Sequence, residues 1–378
     1  MGWSRVRGCA VLAVGAALAL SGCEVSTIGA AGPAAADQAK ADARTAQRDA
    51  VKAAVDDLGE QQAIAYRSQV RNDAGELVDL ALSVTKNGTS YGALGVGGQV
   101  VNLVEADGKP YLSAPAAYWK TKGVDDAQAE EYGKRWMFVE ETDLPLNPSK
   151  VLTPREIRTA LHDASLELDQ LADPARTRLA DGTEVYELAL PSGELQVTAV
   201  RPHRVVSFDA GLVANVGKAF GSGTVVTPGG LTGDALVQFK NGLGGAVDAF
   251  AQAFDYAAEL VVLVDGNDLQ CATSGSCTSN VKVSNSIVGA DGRVSGVRVL
   301  VKADVSAPGL GSQTCTAEAT AAPNATVDVP CTVKFSVPNR TASYQVTSMP
   351  TATGEAIAAV DVGGVKQKIE AEFATLGG

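Results

Sequence analysis

Apolar residues recur along this chain with two different periods. The first period, near the start of the chain, is that of a helix. Between residues 37 and 58 the sequence is rich in Ala, Asp, Lys and Arg. Its apolar positions recur every three or four residues and share one helix face: Val51, Ala54, Val55 and Leu58. Gly59 follows at once and is a typical helix stop. The sequence therefore predicts an amphipathic helix over residues 37–58.

A period of two replaces the helical spacing at LVDLALSV, residues 77–84. Alternation places four apolar side chains on one face of a strand: Val78, Leu80, Leu82 and Val84. Asn87-Gly88 and Asp107-Gly108 are dipeptides typical of hairpin turns, and the second lies inside QVVNLVEADGKPYL, which reads as two strands. Further along, TEVYELALPSGELQVTAVRPHRVVSFD predicts three more strands.

A second helix is predicted between these groups of strands. Thr153-Pro154-Arg155-Glu156 has the form of a capping box with proline at the first helical position. An apolar stripe follows it: Ile157, Ala160, Leu161, Ala164 and Leu168. We therefore expect residues 37–210 to form an α+β domain, with an antiparallel sheet that is apolar on one face and helices packed on that face.

Residues 211–231 are rich in glycine and predict a linker, so residues 232–378 are expected to form a second, smaller domain. LTGDALVQFKNGLGGAVDAFAQAFDYA has a helical pattern weakened by three glycines, and five strand-like segments follow between residues 259 and 337. The end, from Gly354 to Leu376, is expected to be helical. These features predict an α+β domain. An immunoglobulin-like sandwich is the alternative, which the flanking helices disfavour.

The first 22 residues predict a cleaved signal peptide. Arg5 and Arg7 precede an uncharged apolar run, Cys9 to Leu20, that is shorter than the roughly 20 residues needed to span a bilayer. Leu20-Ser21-Gly22-Cys23 resembles the lipobox of bacterial lipoprotein signal peptides, which implies cleavage before Cys23 and lipid attachment to its thiol. Residues 23–36 predict a flexible tether. The expected location is the extracytoplasmic face of the cell membrane, held by the lipid anchor; an ordinary secretory signal is the alternative.

Charge and cysteine content narrow the possible partners and compartment. The 378-residue chain has a formal net charge of −12, which disfavours nucleic acid as a partner. Four cysteines remain beyond Cys9 and Cys23, and an even number outside the cytoplasm predicts two disulfides. Three pairings are possible; we favour Cys271–Cys277 and Cys315–Cys331, because each pair flanks a plausible turn. Their spacing lacks a CxxC pair, which disfavours a metal site.

Two segments of the first domain resemble actinobacterial lipoproteins of the LppX/LprG-like group. They are YGALGVGGQVVNLVEADGKPYLSAPAAYWK, residues 91–120, and ELQVTAVRPHRVVSFD, residues 194–209. The resemblance covers about 170 residues and implies a curved half-barrel sheet covered by helices, with an acylated lipid held between sheet and helices. It supplies no catalytic residues, and residues 232–378 resemble no family.

The resemblance makes Val78, Leu80, Leu82, Tyr118 and Trp119 candidates for the lining of a ligand cavity. Alternation alone does not distinguish a cavity from a closed core, and the two aromatic residues could equally rim an opening or anchor a core. The leading hypothesis is a lipid-binding or lipid-carrying lipoprotein. The alternative is a protein-interaction or sensory module with closed cores.

Residues that could carry catalysis are few. The two histidines are His162, on the predicted helix, and His203, between two arginines in RPHR. The sequence has no GxSxG, phosphate-loop or HExxH motif. DGNDLQ, residues 265–270, lacks EF-hand spacing and is typical of a turn. We therefore expect no enzymatic activity, no cofactor and no metal.

Overall fold

The computed structural model describes residues 35–71, 74–166, 175–213, 215–221, 223–289, 292–338 and 342–376. The predicted signal peptide, Cys23 and the tether up to residue 34 lie outside this part of the chain. The chain divides into two units, residues 1–43 and residues 44–378. The architecture that follows is that of the second unit.

The elements up to residue 113 are one long helix and five strands joined mainly by tight turns. They are α1 (Ala35–Glu60), β1 (Ala63–Arg71), β2 (Leu77–Thr85), β3 (Ser90–Val96), β4 (Gln99–Ala106) and β5 (Lys109–Ser113). The β4–β5 turn is formed by Asp107 and Gly108, which both have positive φ, as a two-residue hairpin turn requires. At Gly92 on β3 a Cβ atom would lie 2.1 Å from the carbonyl oxygen of Ala81, so only glycine allows this close approach to β2.

Short helices alternate with strands in the next 120 residues. The elements are α2 (Ala116–Thr121), α3 (Asp126–Tyr132), β6 (Met137–Phe138), α4 (Pro148–Val151), α5 (Pro154–Ser165), β7 (Arg176–Arg178), β8 (Glu184–Leu190), β9 (Gly193–Thr198), β10 (Val205–Asp209), α6 (Val216–Phe220) and β11 (Val225–Gly230). Thr153 caps this helix as predicted, because its hydroxyl accepts a hydrogen bond from the backbone N–H of Glu156, which is one of the two bonds of a capping box. Leu168, the last residue of the predicted stripe, lies outside the described residues.

The remaining elements are two helices and seven strands, most of them long. They are α7 (Gly233–Asp248), β12 (Phe254–Asp255), β13 (Glu259–Cys271), β14 (Ser276–Val288), β15 (Val294–Ala307), β16 (Gly311–Ala321), β17 (Thr326–Lys334), β18 (Thr347–Ala358) and α8 (Val362–Leu376). Gly354 to Ala358 therefore belong to a strand, and the helix expected from Gly354 begins at Val362.

Fifteen of the described strands form one open, mostly antiparallel sheet. Its order is β16-β15-β18-β12-β6-β5-β4-β3-β2-β1-β11-β10-β9-β8-β7. The short β12 links the two regions that the sequence separates, because it pairs with β6 on one side and β18 on the other. The α+β class and the large antiparallel sheet are confirmed.

One face of this sheet carries the main apolar core. Leu80, Leu82 and Val84 of β2 alternate onto this face, together with side chains from neighbouring strands and from helices α1, α2, α3, α5 and α6. The helix α1 contributes the predicted stripe, since Val51, Ala54, Val55 and Leu58 are all buried. Tyr66 connects β1 to the segment between α4 and α5, because its hydroxyl donates a 2.7 Å hydrogen bond to the carbonyl oxygen of Leu152.

The opposite face is also buried, which corrects the expectation of a sheet covered on one face. Helices α7 and α8 pack there on side chains from β1, β4, β5 and β18: Ala63, Ala65, Val104, Ala106, Tyr111 and Ala358. Alanine at several of these positions lets a helix approach the strands closely. The helices assigned by sequence to a second domain therefore cover the sheet of the first.

The disulfide-bonded region is a β-sandwich rather than an α+β domain, which corrects the prediction. Strands β13-β14-β17 form a separate sheet. Its inner face packs against β15, β16 and β18 through valines such as Val281, Val283, Val299 and Val329. The flanking helices do not contribute to this core, because their apolar faces are used elsewhere.

The segment predicted as a linker contains regular structure. Within the described parts of residues 211–231, α6 places Val216 and Phe220 in the main core, and β11 pairs with β1 and β10. Several of the glycines that suggest a flexible connection lie within these elements, with Gly217 in α6 and Gly229 and Gly230 at the end of β11. β11 thus joins β1 to β10 within the large sheet.

Candidate functional site

Four of the five predicted cavity residues lie in a closed apolar core. Leu80, Leu82, Tyr118 and Trp119 are each no more than 2% exposed and belong to the main core cluster, while Val78 is half-buried at its edge. A side chain that lines a space wide enough for a lipid chain has part of its surface free of protein contacts. These four side chains have almost none.

Tyr118 and Trp119 are core anchors rather than the rim of an opening. Their rings are 5.1 Å apart edge to face, and the Trp119 ring also contacts those of Tyr132 and Tyr256 at 5.6 and 5.2 Å. The indole N–H of Trp119 donates a 3.2 Å hydrogen bond to the carbonyl oxygen of Ala114. Burial raises the pKa of Tyr118 to about 12, so its phenol stays neutral at physiological pH.

A buried hydroxyl interrupts the apolar layer beside Leu80. Ser68 of β1 lies directly opposite Leu80 in the β1–β2 register and is 7% exposed. Within the described residues its Oγ atom has no hydrogen-bond partner. Leaving a buried hydroxyl unpaired costs about 1–3 kcal/mol, so this position is unusual for a core.

Charged groups converge where α3 meets the outer face of the sandwich. The Arg298 guanidinium donates hydrogen bonds to Glu131 of α3 at 2.9 Å and to Glu318 of β16 at 2.6 Å. It also lies 3.7 Å from the Glu355 carboxylate, which is 4% exposed. Burial raises the pKa of Glu355, whereas hydrogen bonds from Lys134 and then Arg298 lower that of Glu131. One arginine thus links α3 to three sandwich strands.

A second buried carboxylate lies on the connecting strand β12. The Asp255 side chain is fully buried, and its Oδ1 atom accepts a 3.0 Å hydrogen bond from the backbone N–H of Ala257. Its nearest cation is Arg293, whose Nε atom is 3.7 Å from Oδ2. Burial raises the pKa of Asp255, and Arg293 only partly opposes this effect.

The disulfides have the predicted pairing. Cys271–Cys277 joins directly opposed residues of the β13–β14 hairpin. Cys315–Cys331 joins β16 to β17, which belong to different sheets. The first bond therefore closes one hairpin, and the second holds the two layers of the sandwich together.

The two histidines lie in different elements and have different surroundings. His162 lies on α5 with its side chain more than half exposed, next to Asp163. His203 lies in the turn between β9 and β10, where its Nδ1 atom is 2.9 Å from the carbonyl oxygen of Thr198. The contacts described for each are local ones, within five residues along the chain.

An exposed apolar edge is the feature that sequence analysis missed. Val261, Leu263 and Val264 of β13 are 48%, 58% and 38% exposed, and Val288 of β14 is 56% exposed. The alternation in LVVLV suggests only a strand. That this strand lies at the edge of a three-stranded sheet depends on pairing between distant segments.

The described part of the chain contains neither a metal-binding cluster nor a helix that could span a membrane. No group of three or more His, Cys, Asp or Glu side chains there could hold a metal ion. No helix among those residues is both long and apolar enough to cross a bilayer. Compared with known proteins, the chain matches no family model and no curated sequence.

Proposed function

We propose that this protein is a membrane-anchored lipoprotein of the extracytoplasmic face that binds a protein partner on its outer surface and performs no catalysis. The observation that carries the proposal is the closed core at Leu80, Leu82, Tyr118 and Trp119. With that space filled by side chains, the surfaces that remain for recognition are external ones.

Two features support the location. The segment Leu20–Cys23 resembles a lipobox, and the chain before it has the charge and length of a signal peptide. The two disulfides suit an oxidising compartment outside the cytoplasm. A covalent anchor also suits a chain of net charge −12, which gains nothing from an anionic bilayer.

Mass spectrometry of the mature protein, purified in detergent from its own membrane, tests the proposal. We expect the lipid attached at Cys23 and no further diacyl or glycolipid in stoichiometric amount. Crosslinking in intact cells should yield a discrete complex with another protein. One co-purifying lipid per chain, held without a protein partner, would overturn the proposal.

Binding of an acylated lipid is the second candidate, and the unpaired Ser68 hydroxyl favours it. An unpaired hydroxyl opposite Leu80 would suit the polar group of a ligand whose chains lie between sheet and helices. The half-barrel curvature implied by the LppX/LprG-like resemblance belongs to this candidate. This curvature is supported by the single apolar cluster that the helices share with the sheet, whose strands run in spatial order from β6 through β1 to β8.

Substitution of Leu80 by Trp separates the two candidates. In a closed core the added volume costs about 1–3 kcal/mol of unfolding free energy, so the melting temperature should fall. In a lipid-filled cavity the indole would displace ligand, and the lipid-free protein would melt as before. Leu82→Trp is a second variant at the neighbouring position on the same face.

A further inference from the structure

The free edge of β13 has an unprotected apolar segment. Strand β13 pairs with β14 along its length and is the outermost strand of its sheet. Among the described residues, no hydrogen bond joins residues 259–264 to another element on the outer side. A bulge between Val264 and Gly266 ends the regular edge. Natural sheet edges are usually blocked by lysine, proline or a covering element, and LVVLV has none of these within it.

Apolar side chains lie on the outer face of this edge. Val261 and Leu263 point to the solvent side, and Val288 of β14 extends the same strip beside Glu259. On the inner side Leu260 and Val262 are half-buried and line a cleft of about 250 Å3 that also includes Gln128 and Glu131. A strand added here would therefore find apolar contacts on both of its faces.

The charged side chains of β13 itself are all acidic. The charged residues of β13 are Glu259, Asp265 and Asp268, and all three are exposed. Glu259 and Asp265 flank the apolar segment on either side. An added strand with a basic residue at each end would place one of them opposite Glu259 and the other near Asp265 in the bulge, and opposite charges across a strand pair are favourable.

We infer that residues 259–265 of β13 bind an extended segment of another extracytoplasmic protein, which adds as a fourth strand to the β13-β14-β17 sheet and carries apolar residues between two basic ones. This inference rests on the proposed function, because it places the partner surface of the interaction module. Main-chain hydrogen bonds would supply affinity and the flanking acids specificity.

A second copy of this chain fits the edge less well. In an antiparallel pair of β13 strands centred on Val262, Glu259 of each copy would lie close to Asp265 of the other. Like charges directly opposite each other destabilise a strand pair. The net charge of −12 per chain adds to this repulsion at low ionic strength.

The test uses the mature protein in detergent and the blocked synthetic peptide KVVTVVK, whose symmetric sequence suits either strand direction. We expect saturable binding by calorimetry, with slower hydrogen exchange at backbone amides of residues 259–264. The peptide EVVTVVE should bind at least tenfold more weakly at low salt, and the difference should shrink as salt rises.

Leu263→Lys is the decisive variant, because the position is 58% exposed and the change should leave the fold intact. It should weaken binding of KVVTVVK at least tenfold. Met349→Lys, at a 76% exposed position of β18, is the matched control and should bind as the wild type does. Equal binding by both variants, or none by the wild type, would overturn the inference.

Two further results are informative about alternatives. Sedimentation that shows a wild-type dimer lost in Leu263→Lys would assign the edge to a second copy and contradict the inference. If the peptide fails to bind while the mature protein carries no co-purified lipid, the position of the partner surface is wrong and the proposed function stands. One co-purified lipid per chain would instead contradict the proposed function itself.

Discussion

Cys315 and Cys331 join the two layers of the sandwich, with their Cα atoms 5.8 Å apart and a sequence separation of 16. They lie on β16 and β17, which follow each other in sequence and yet belong to different sheets. The bond therefore links the edge strand of one sheet to the edge strand of the other. The other disulfide, by contrast, stays within one hairpin.

Removal of the inter-sheet bond should cost more stability than removal of the hairpin bond. The loop-entropy relation gives about 3 kcal/mol for a loop of this length and about 2 kcal/mol for the six-position loop. We expect Cys315→Ala/Cys331→Ala to melt at a lower temperature than Cys271→Ala/Cys277→Ala, both measured by calorimetry under oxidising conditions. The reverse order would show that the hairpin bond has the larger effect.

Truncation of Leu82 tests the closed core independently of any ligand. Leu82→Ala should lower the unfolding free energy by about 2–5 kcal/mol, because it opens a cavity in a packed layer. Leu77→Ala, at a 61% exposed position of the same strand, is the control and should change it by no more than about 0.5 kcal/mol. Denaturant titration measures both, and equal effects would contradict the burial of Leu82.

Arg298 should contribute more to the free energy of unfolding than an exposed ion pair does. Arg298→Met leaves the 4% exposed Glu355 without its cation, so we expect a loss above the roughly 1 kcal/mol typical of surface pairs. Adding Glu355→Gln should recover part of that loss, since it removes the stranded charge. Lys150→Met, which breaks the exposed pair with Glu141, is the control. Failure of the second change to recover any stability would argue against this coupling.

Asp255 should make the protein less stable as pH rises. Burial raises its folded-state pKa above the ordinary 3.8, so the folded state binds the proton more tightly than the unfolded state does. Its contribution is most favourable below pH 3.8 and is lost as pH rises through the raised pKa. Asp255→Asn should therefore gain stability relative to the wild type between acidic and neutral pH. Asp328→Asn, at an exposed position of β17, is the control. A pH-independent difference for Asp255→Asn would contradict the prediction.

Cys23→Ala should abolish membrane attachment. The thiol is the atom to which lipid is added, so the variant should be found as an unprocessed precursor or as released protein. Fractionation and mass spectrometry of the N-terminus distinguish these forms. Retention in the membrane with residues 1–22 removed would contradict the assignment of Cys23.

Local patterns determined most of the individual elements from sequence. The N-cap at Thr153 begins α5, and the Asp107-Gly108 turn joins β4 to β5, because each signal acts through bonds or dihedral angles within a few residues. The alternation of Leu80, Leu82 and Val84 assigned their common face correctly. The two disulfides were also paired correctly, because each closes a short loop.

Strand β18 was one of the elements that sequence analysis missed. Its sequence, TSMPTATGEAIA, contains proline, glycine and several small residues, which are weak strand formers. It forms a strand because β15 pairs with it from Val294 to Ser306, so the partner strand supplies the hydrogen bonds. Pairing between segments about 50 residues apart is not encoded in the local pattern of either one.

The sequence by itself predicted many of the individual helices and strands and the apolar face of β2, favoured the observed cysteine pairing, and indicated where a lipid anchor is expected. Only the tertiary structure decided what covers each apolar face. Helices α7 and α8 pack on the sheet built from the first half of the chain, and the free edge of β13 remains exposed. The physical reason is that apolar burial is non-directional: a periodic pattern specifies that a face must be covered, and packing geometry selects the element that covers it.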